Sequence, residues 1–186
     1  MSYDVRETNS LEFVASKFQK PLYVVEKGEV VRRQIGLTNI FATHGMSVGA
    51  MAAVAQNGEF ATYDPDLEGK FFITPNPRNK YWKRSPQSLR LGQLAGSAYL
   101  SSSDPMRASE LYADTHDEEG RDGGFIVAFK STVIAPDDAV EYAWDSANGF
   151  PEIVLSRPPK LDSIFKIIPL DQHSVKEYEA AVDVRQ

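Results

Sequence analysis

The apolar residues of this chain change their spacing several times, and each change predicts an element. After Asn9-Ser10, Leu11, Val14 and Phe18 recur on one helical face, with Glu12 placed as a capping-box partner of Asn9; this predicts a short amphipathic helix over 9–19. Val and Tyr content predicts two strands, Pro21 to Glu26 and Glu29 to Ile35, around Lys27-Gly28. A helical stretch is expected from Leu37 to Thr43, ending at His44-Gly45, and the small apolar run Ala50 to Ala55 reads as a buried helix. Asp64-Pro65, Pro75-Asn76-Pro77 and Ser85-Pro86 mark loops around short strands near Phe60 and Phe71 to Ile73.

The second half alternates more cleanly. Ala98 to Ser101 reads as a strand, and Pro105 to Ala113 as a helix with proline in its first turn. Phe125 to Val133, bounded by Gly123-Gly124, reads as a buried strand, and further strands are expected at Val140 to Trp144, Ile153 to Leu155 and Ile164 to Leu170. Ser174-Val175-Lys176-Glu177 has the form of a capping box opening a C-terminal helix over 173–186. Helices at the front and end, with many short strands between, argue for an α+β fold rather than a βαβ wrap. One domain over 1–186 is expected, with its core at about 21–170, an N-terminal helix in 1–20 and the C-terminal helix behind it.

Composition narrows the chemistry. The 186 residues are 42% hydrophobic and 25% charged, ordinary for a globular chain, and contain no cysteine. That removes disulfide frameworks, thiolate metal sites and cysteine nucleophiles together. No long apolar run predicts a membrane span, and Met1 to Arg6 lacks a signal-peptide core. The expectation is a monomer with no membrane partner, located in the cytoplasm or exported without a classical signal. A net charge of −6 argues against general nucleic-acid binding, although charge is lopsided. Between Glu68 and Asp104 the only charges are the basic Lys70, Arg78, Lys80, Lys83, Arg84 and Arg90, whereas Asp104 to Asp122 carries seven acids. A solvated surface explains both blocks without a function. The chain has no P-loop, no G-x-S-x-G elbow and no H-E-x-x-H. A metal site is not expected, because His44, His116 and His173 are widely separated.

Three features in a fixed order remain: Val30-Val31-Arg32, Tyr99-Leu100-Ser101-Ser102-Ser103, and Phe150-Pro151-Glu152-Ile153-Val154. Taken together they resemble the arginine, serine-strand and glutamate motifs of the cholera- and pertussis-toxin-like mono-ADP-ribosyltransferases. Val30-Val31-Arg32 through His44-Gly45-Met46 resembles that family's arginine strand and the helix ending in a glycine turn. Tyr99 to Ser103 with Tyr112 is similar to its serine strand and following tyrosine. Gly124-Phe125-Ile126-Val127 occupies the place of a core strand, and Glu152-Ile153-Val154 running into Pro158-Pro159, Ile164 and Ile167 resembles the glutamate strand, its turn and the closing strand. The similarity spans roughly residues 28–170, apart from an unmatched stretch between Met46 and Tyr99.

The resemblance implies a split antiparallel β-sandwich core with flanking helices, NAD as co-substrate and a protein target. Glu152 would be the catalytic carboxylate, oriented by Ser101, with Arg32, Ser101 and Tyr112 contacting NAD. The residue types suit the chemistry: breaking the nicotinamide–ribose bond builds positive charge on the ribose carbon, which a carboxylate favours. Arginine offers a planar fork of donors to a phosphate that lysine does not. Strand alternation lets only one of Arg32 and Arg33 face a cleft, so Arg33 stays a rival. Each residue also has a plainer reading: surface arginine, strand end leading to an N-cap at Asp104, core tyrosine, or chance acid at a strand start.

Arginine-modifying members of that class carry a second glutamate two residues before the catalytic one, where this chain has Phe150. The expected acceptor is therefore not arginine, and Trp144 and Phe150 become apolar anchors for a macromolecular target. Three other readings stay open: an NAD glycohydrolase, a nucleic-acid-binding or nucleic-acid-modifying module using Lys80-Tyr81-Trp82-Lys83-Arg84, and a non-catalytic interaction domain.

Overall fold

The structure is a computed structural model. It describes residues 39–61, 69–76, 79, 109, 112–113, 120–135, 138, 140–145 and 150–183, with the backbone alone at 25–26, 29–30, 142, 144–145, 150–151 and 183. The short strands β1 (Val25–Glu26) and β2 (Glu29–Val30) form an antiparallel hairpin. The main body is an antiparallel sheet of β3 (Ala42–Ser47), β4 (Phe71–Pro75), β5 (Gly124–Phe129), β6 (Val140–Asp145), β7 (Phe150–Leu155) and β8 (Ile164–Pro169), in the order β6-β7-β4-β3-β5-β8. Helices α1 (Val48–Asn57) and α2 (Gln172–Asp183) accompany it. The class is α+β.

Alternation along each strand sorts the residues onto two faces. Phe125, Val127 and Phe129 of β5, Ile153 and Leu155 of β7, and Ile164 and Ile167 of β8 enter the main core. There they meet Met51, Ala52, Val54 and Ala55 of α1 and Val175, Tyr178 and Ala181 of α2. The small residues of α1 let the two helices pack together. Phe125 and Tyr178 meet edge-on, with ring centroids 5.6 Å apart. Each large buried side chain contributes about 1.5–3 kcal/mol of hydrophobic stabilisation. On the second face, Ile40, Ile126, Ala128 and Ile168 form a smaller cluster.

Two glycines let a helical segment containing Ser109, Tyr112 and Ala113 lie directly on that second face. A Cβ at Gly45 would stand 2.0 Å from the Ser109 carbonyl oxygen, and one at Gly124 would stand 2.1 Å from that of Ala113. Both obstacles are backbone, which cannot rotate away as a side-chain tip can.

The sheet is unevenly knit. All six residues of β3 are in register with β5, but the β3–β4 ladder holds only Ala42↔Pro75 and Thr43↔Thr74. Asn76 extends the seam: its N–H donates to the Phe41 carbonyl at 2.9 Å and its side-chain amide to that of Ile40 at 2.7 Å. Six strands thus fall into an inner half, β3-β5-β8, and an outer half, β4-β7-β6.

Several sequence expectations need correction. The helix over Leu37 to Thr43 does not form in its described part: Ile40 and Phe41 are irregular backbone and Ala42 opens β3. His44-Gly45-Met46 lies within that strand rather than at a helix end. Ile40, Phe41 and Ala42 are all fully buried, and a short buried run has no period that separates helix from strand. Phe60 lies in no strand, and β5 ends at Phe129, followed by a 3-10 turn at Ser131–Val133.

The capping box at Ser174 is displaced. Helix α2 starts at Gln172, and Asp171 Oδ1 accepts both the Ser174 N–H at 2.7 Å and its hydroxyl at 2.8 Å. The Ser174 oxygen meanwhile accepts the Gly124 N–H at 3.0 Å, so it ties α2 to β5. The expected buried helix at Ala50 to Ala55 is α1, capped by Ser47 and closed by Gly58 at φ +73°. The helix expected over 9–19, the strand at 98–101 and most of the helix from Pro105 lie outside the described residues.

Candidate functional site

Glu152 is held in β7, between β6 and β4. Its neighbour Ile153 is fully buried in the main core, so alternation places Glu152 on the second face, with Val154. Val154 is buried and Glu152 half-buried. Across the β6–β7 ladder Glu152 pairs with Ala143. The β4–β7 ladder runs Phe71↔Leu155, Phe72↔Val154 and ends at Ile73↔Ile153; Thr74 and Glu152 are the next positions in that register, just past its last pair. Thr74 is in turn paired with Thr43.

A row of positions therefore crosses the second face: Ala143, Glu152, Thr74, Thr43. It ends beneath the helical segment, where the Ser109 hydroxyl donates to Thr43 Oγ1 at 2.7 Å and both residues are fully or almost fully buried. Tyr112, on that same segment, is 42% exposed. Glu152 and Tyr112 thus belong to one side of the sheet, with half-buried Phe72 and buried Thr74 on the strand between.

Other candidates fall elsewhere. Arg32, its rival Arg33, Ser101 and the Lys80 to Arg84 segment lie outside the described residues. Trp144 pairs with Pro151, and Phe150 with Asp145. Both residues are described by their backbone pairing alone. Thr74 and Ala143 were missed by sequence reasoning. Each is near Glu152 only through pairing between strands distant in sequence or turned by a hairpin, and neither carries a local signal.

His44 sits in the seam between β3 and β4. Its Nδ1 donates to the Phe72 carbonyl at 2.7 Å, which a carbonyl can only accept, and its ring lies 4.3 Å from that of Phe71. Burial pushes its pKa down to about 4, against the smaller upward influence of the Phe72 hydrogen bond. At neutral pH it is an uncharged imidazole bracing two strands where their backbone ladder has stopped. Alternation puts it with Ala42 and Met46 on the main-core side, so it does not join Glu152. Tyr178 is completely buried, its hydroxyl has no hydrogen-bond partner among the described residues, and burial raises its pKa.

A cleft of about 480 Å³ opens where α1 ends, lined by Gly58, Glu59, Phe60, Pro158, Pro159 and Leu161 among others. Phe60 and Leu161 belong to the main core side, so this cleft and Glu152 are different places. Among the described residues no group of three or more His, Asp or Glu could hold a metal ion, and no helix is long and apolar enough to cross a membrane. In comparisons with known proteins, no protein family, no curated protein and no solved structure matches the chain.

Proposed function

We propose that the chain is an NAD-dependent mono-ADP-ribosyltransferase with Glu152 as its catalytic carboxylate. The observation that carries this reading is the setting of Glu152: a half-buried acid inside a strand, facing away from the main core, on the same side of the sheet as the exposed Tyr112. A carboxylate in a partly desolvated site acts more strongly on a developing cation than one in water. Breaking the nicotinamide–ribose bond develops that cation at the ribose carbon.

In this reading Tyr112 stacks on NAD, Arg32 or Arg33 holds a phosphate oxygen, and Ser101 orients the carboxylate. Thr74 offers a second hydroxyl for that orienting role, since its register position adjoins Glu152. The acceptor is a macromolecule, a protein with a side chain other than arginine, because Phe150 stands where an arginine-modifying member of the resembled class has its second glutamate. Trp144 and Phe150, on the strands β6 and β7 beside and carrying Glu152, would meet that target.

The test is transfer of labelled ADP-ribose from NAD to protein in a cell lysate, by the wild type and by Glu152→Ala. Labelling by the wild type alone supports the reading. Equal labelling by both, or neither labelling nor NAD cleavage by the wild type, contradicts it. Nicotinamide release in buffer without labelling would assign the glycohydrolase activity instead.

A further inference from the structure

The cleft at the end of helix α1 is walled by two segments distant in sequence. One is Gly58 to Phe60, where the chain leaves the helix; the other is Pro158 to Asp162, between β7 and β8. The lining is apolar over Phe60, Pro158, Pro159 and Leu161, which are buried or half-buried. Each wall also carries one exposed carboxylate, Glu59 on the first and Asp162 on the second. Among the described residues neither carboxylate has a hydrogen-bond or ion-pair partner, and Lys160, in the same lining, pairs with neither. Helix α1 ends here, with Gly58 as its C-cap and no basic residue in its last turn. The partial negative charge of the helix end therefore adds to that of the two acids.

We infer that this cleft binds a small aliphatic diamine, its hydrocarbon chain along the apolar lining and its two ammonium ends toward Glu59 and Asp162. The volume of about 480 Å³ lies within the range of small-molecule sites. A bare metal ion would leave the apolar lining unused, and an uncharged molecule would leave the acids unanswered. Each attraction alone is weak at a place open to water, so the ligand that fits is one that makes both. Two carboxylates against one lysine repel the phosphates of a dinucleotide. The site is thus separate from the one proposed for NAD, and the inference goes beyond the ADP-ribosyltransferase reading and stands without it.

The experiment is titration calorimetry with the five-carbon diamine cadaverine, beside methylammonium, which keeps a charge without the chain, and pentanediol, which keeps the chain without charge. The proteins are the wild type, Glu59→Gln, Asp162→Asn, the double variant and Lys160→Gln. Glu141→Gln serves as a control that makes the same change of net charge outside the cleft. All the substituted side chains belong to exposed residues or are largely exposed, and unchanged urea unfolding shows that each variant is folded. The expected result is saturable one-to-one binding of cadaverine by the wild type, with Kd raised about fivefold by each single carboxylate change and about twentyfold or more by both. Methylammonium and pentanediol should bind at least about tenfold more weakly than cadaverine. Lys160→Gln should tighten binding about twofold by removing a competing cation, and Glu141→Gln should leave it within about 1.5-fold. No saturable binding by the wild type overturns the inference, as does a double variant that binds like the wild type. An equal loss in Glu141→Gln, which would mark a general attraction to an acidic chain, overturns it too. So does methylammonium or pentanediol binding as tightly as the diamine.

Discussion

The two halves of the sheet are built from similar residues but are held differently. In the inner half, every residue of β3 and β5 is paired with the other, β8 continues the ladder, and both faces are covered. Phe125, Ile126, Val127, Ala128 and Phe129 are all fully buried, which is the pattern of a strand with no solvent face. In the outer half, Phe72 of β4 and Glu152 of β7 are half-buried, β6 ends the sheet, and the join to the inner half is two register pairs, the Asn76 hydrogen bonds and the His44 imidazole. Glu152 lies in that outer half. A framework with little freedom supports a margin that can hold a polar group and admit a ligand, which is where strain and exposure are tolerated best.

The contrast breaks most visibly under matched truncations. Phe129 and Phe72 are the same side chain in the two halves, one fully buried and one partly so. Phe129→Ala should lower unfolding free energy by about 4 kcal/mol and Phe72→Ala by roughly half of that or less, measured by urea denaturation. Equal losses would mean that the outer half is packed as tightly as the inner one.

The seam itself is sharpened by pH. With a folded pKa of about 4 against 6.5, His44 is neutral in both states above pH 6.5 and costs nothing there. As pH falls from 6.5 toward 4 the unfolded chain takes up a proton that the native chain refuses, so stability declines, by at most about 1.4 kcal/mol per pH unit. Below pH 4 the loss levels off. The check is the stability difference between wild type and His44→Asn from pH 7 to 4.5; a difference that does not change with pH would show that the native chain protonates His44 as easily as the unfolded one does. The smallest effect belongs to the outer rim. Lys70 and Glu141 are 42% and 69% exposed, so Glu141→Gln should change stability by about 0.5 kcal/mol or less, with the remainder lost in high salt.

This contrast also explains what could be read in the sequence. Strands β5 to β8 and helix α2 were legible because Phe125 to Phe129 and Ile164 to Pro169 are apolar runs of strand length bounded by glycine, proline or a cap. Residues 37–47 were not, because Ile40, Phe41 and Ala42 are buried on more than one side and show no period. Gly45 looked like a helix stop, but its missing side chain serves the close approach of Ser109 and Ala113, a contact between distant segments. Ser174 looked like a cap because its spacing to Glu177 fits, while Asp171 performs that role and Ser174 holds Gly124.

The site divided in the same way. Glu152 stood out as an acid opening an apolar strand, and it occupies such a strand. Its neighbours Thr74 and Ala143 could not be seen, since register between strands is set by nonlocal packing.

The most direct test of the central claim is the rate of nicotinamide release from NAD by the wild type and by Glu152→Gln, which keeps the shape of the side chain and removes its charge. The account predicts release by the wild type and a fall of about a hundredfold or more in the variant, with urea unfolding essentially unchanged. Equal rates in the two proteins, or no release by the wild type, would contradict it.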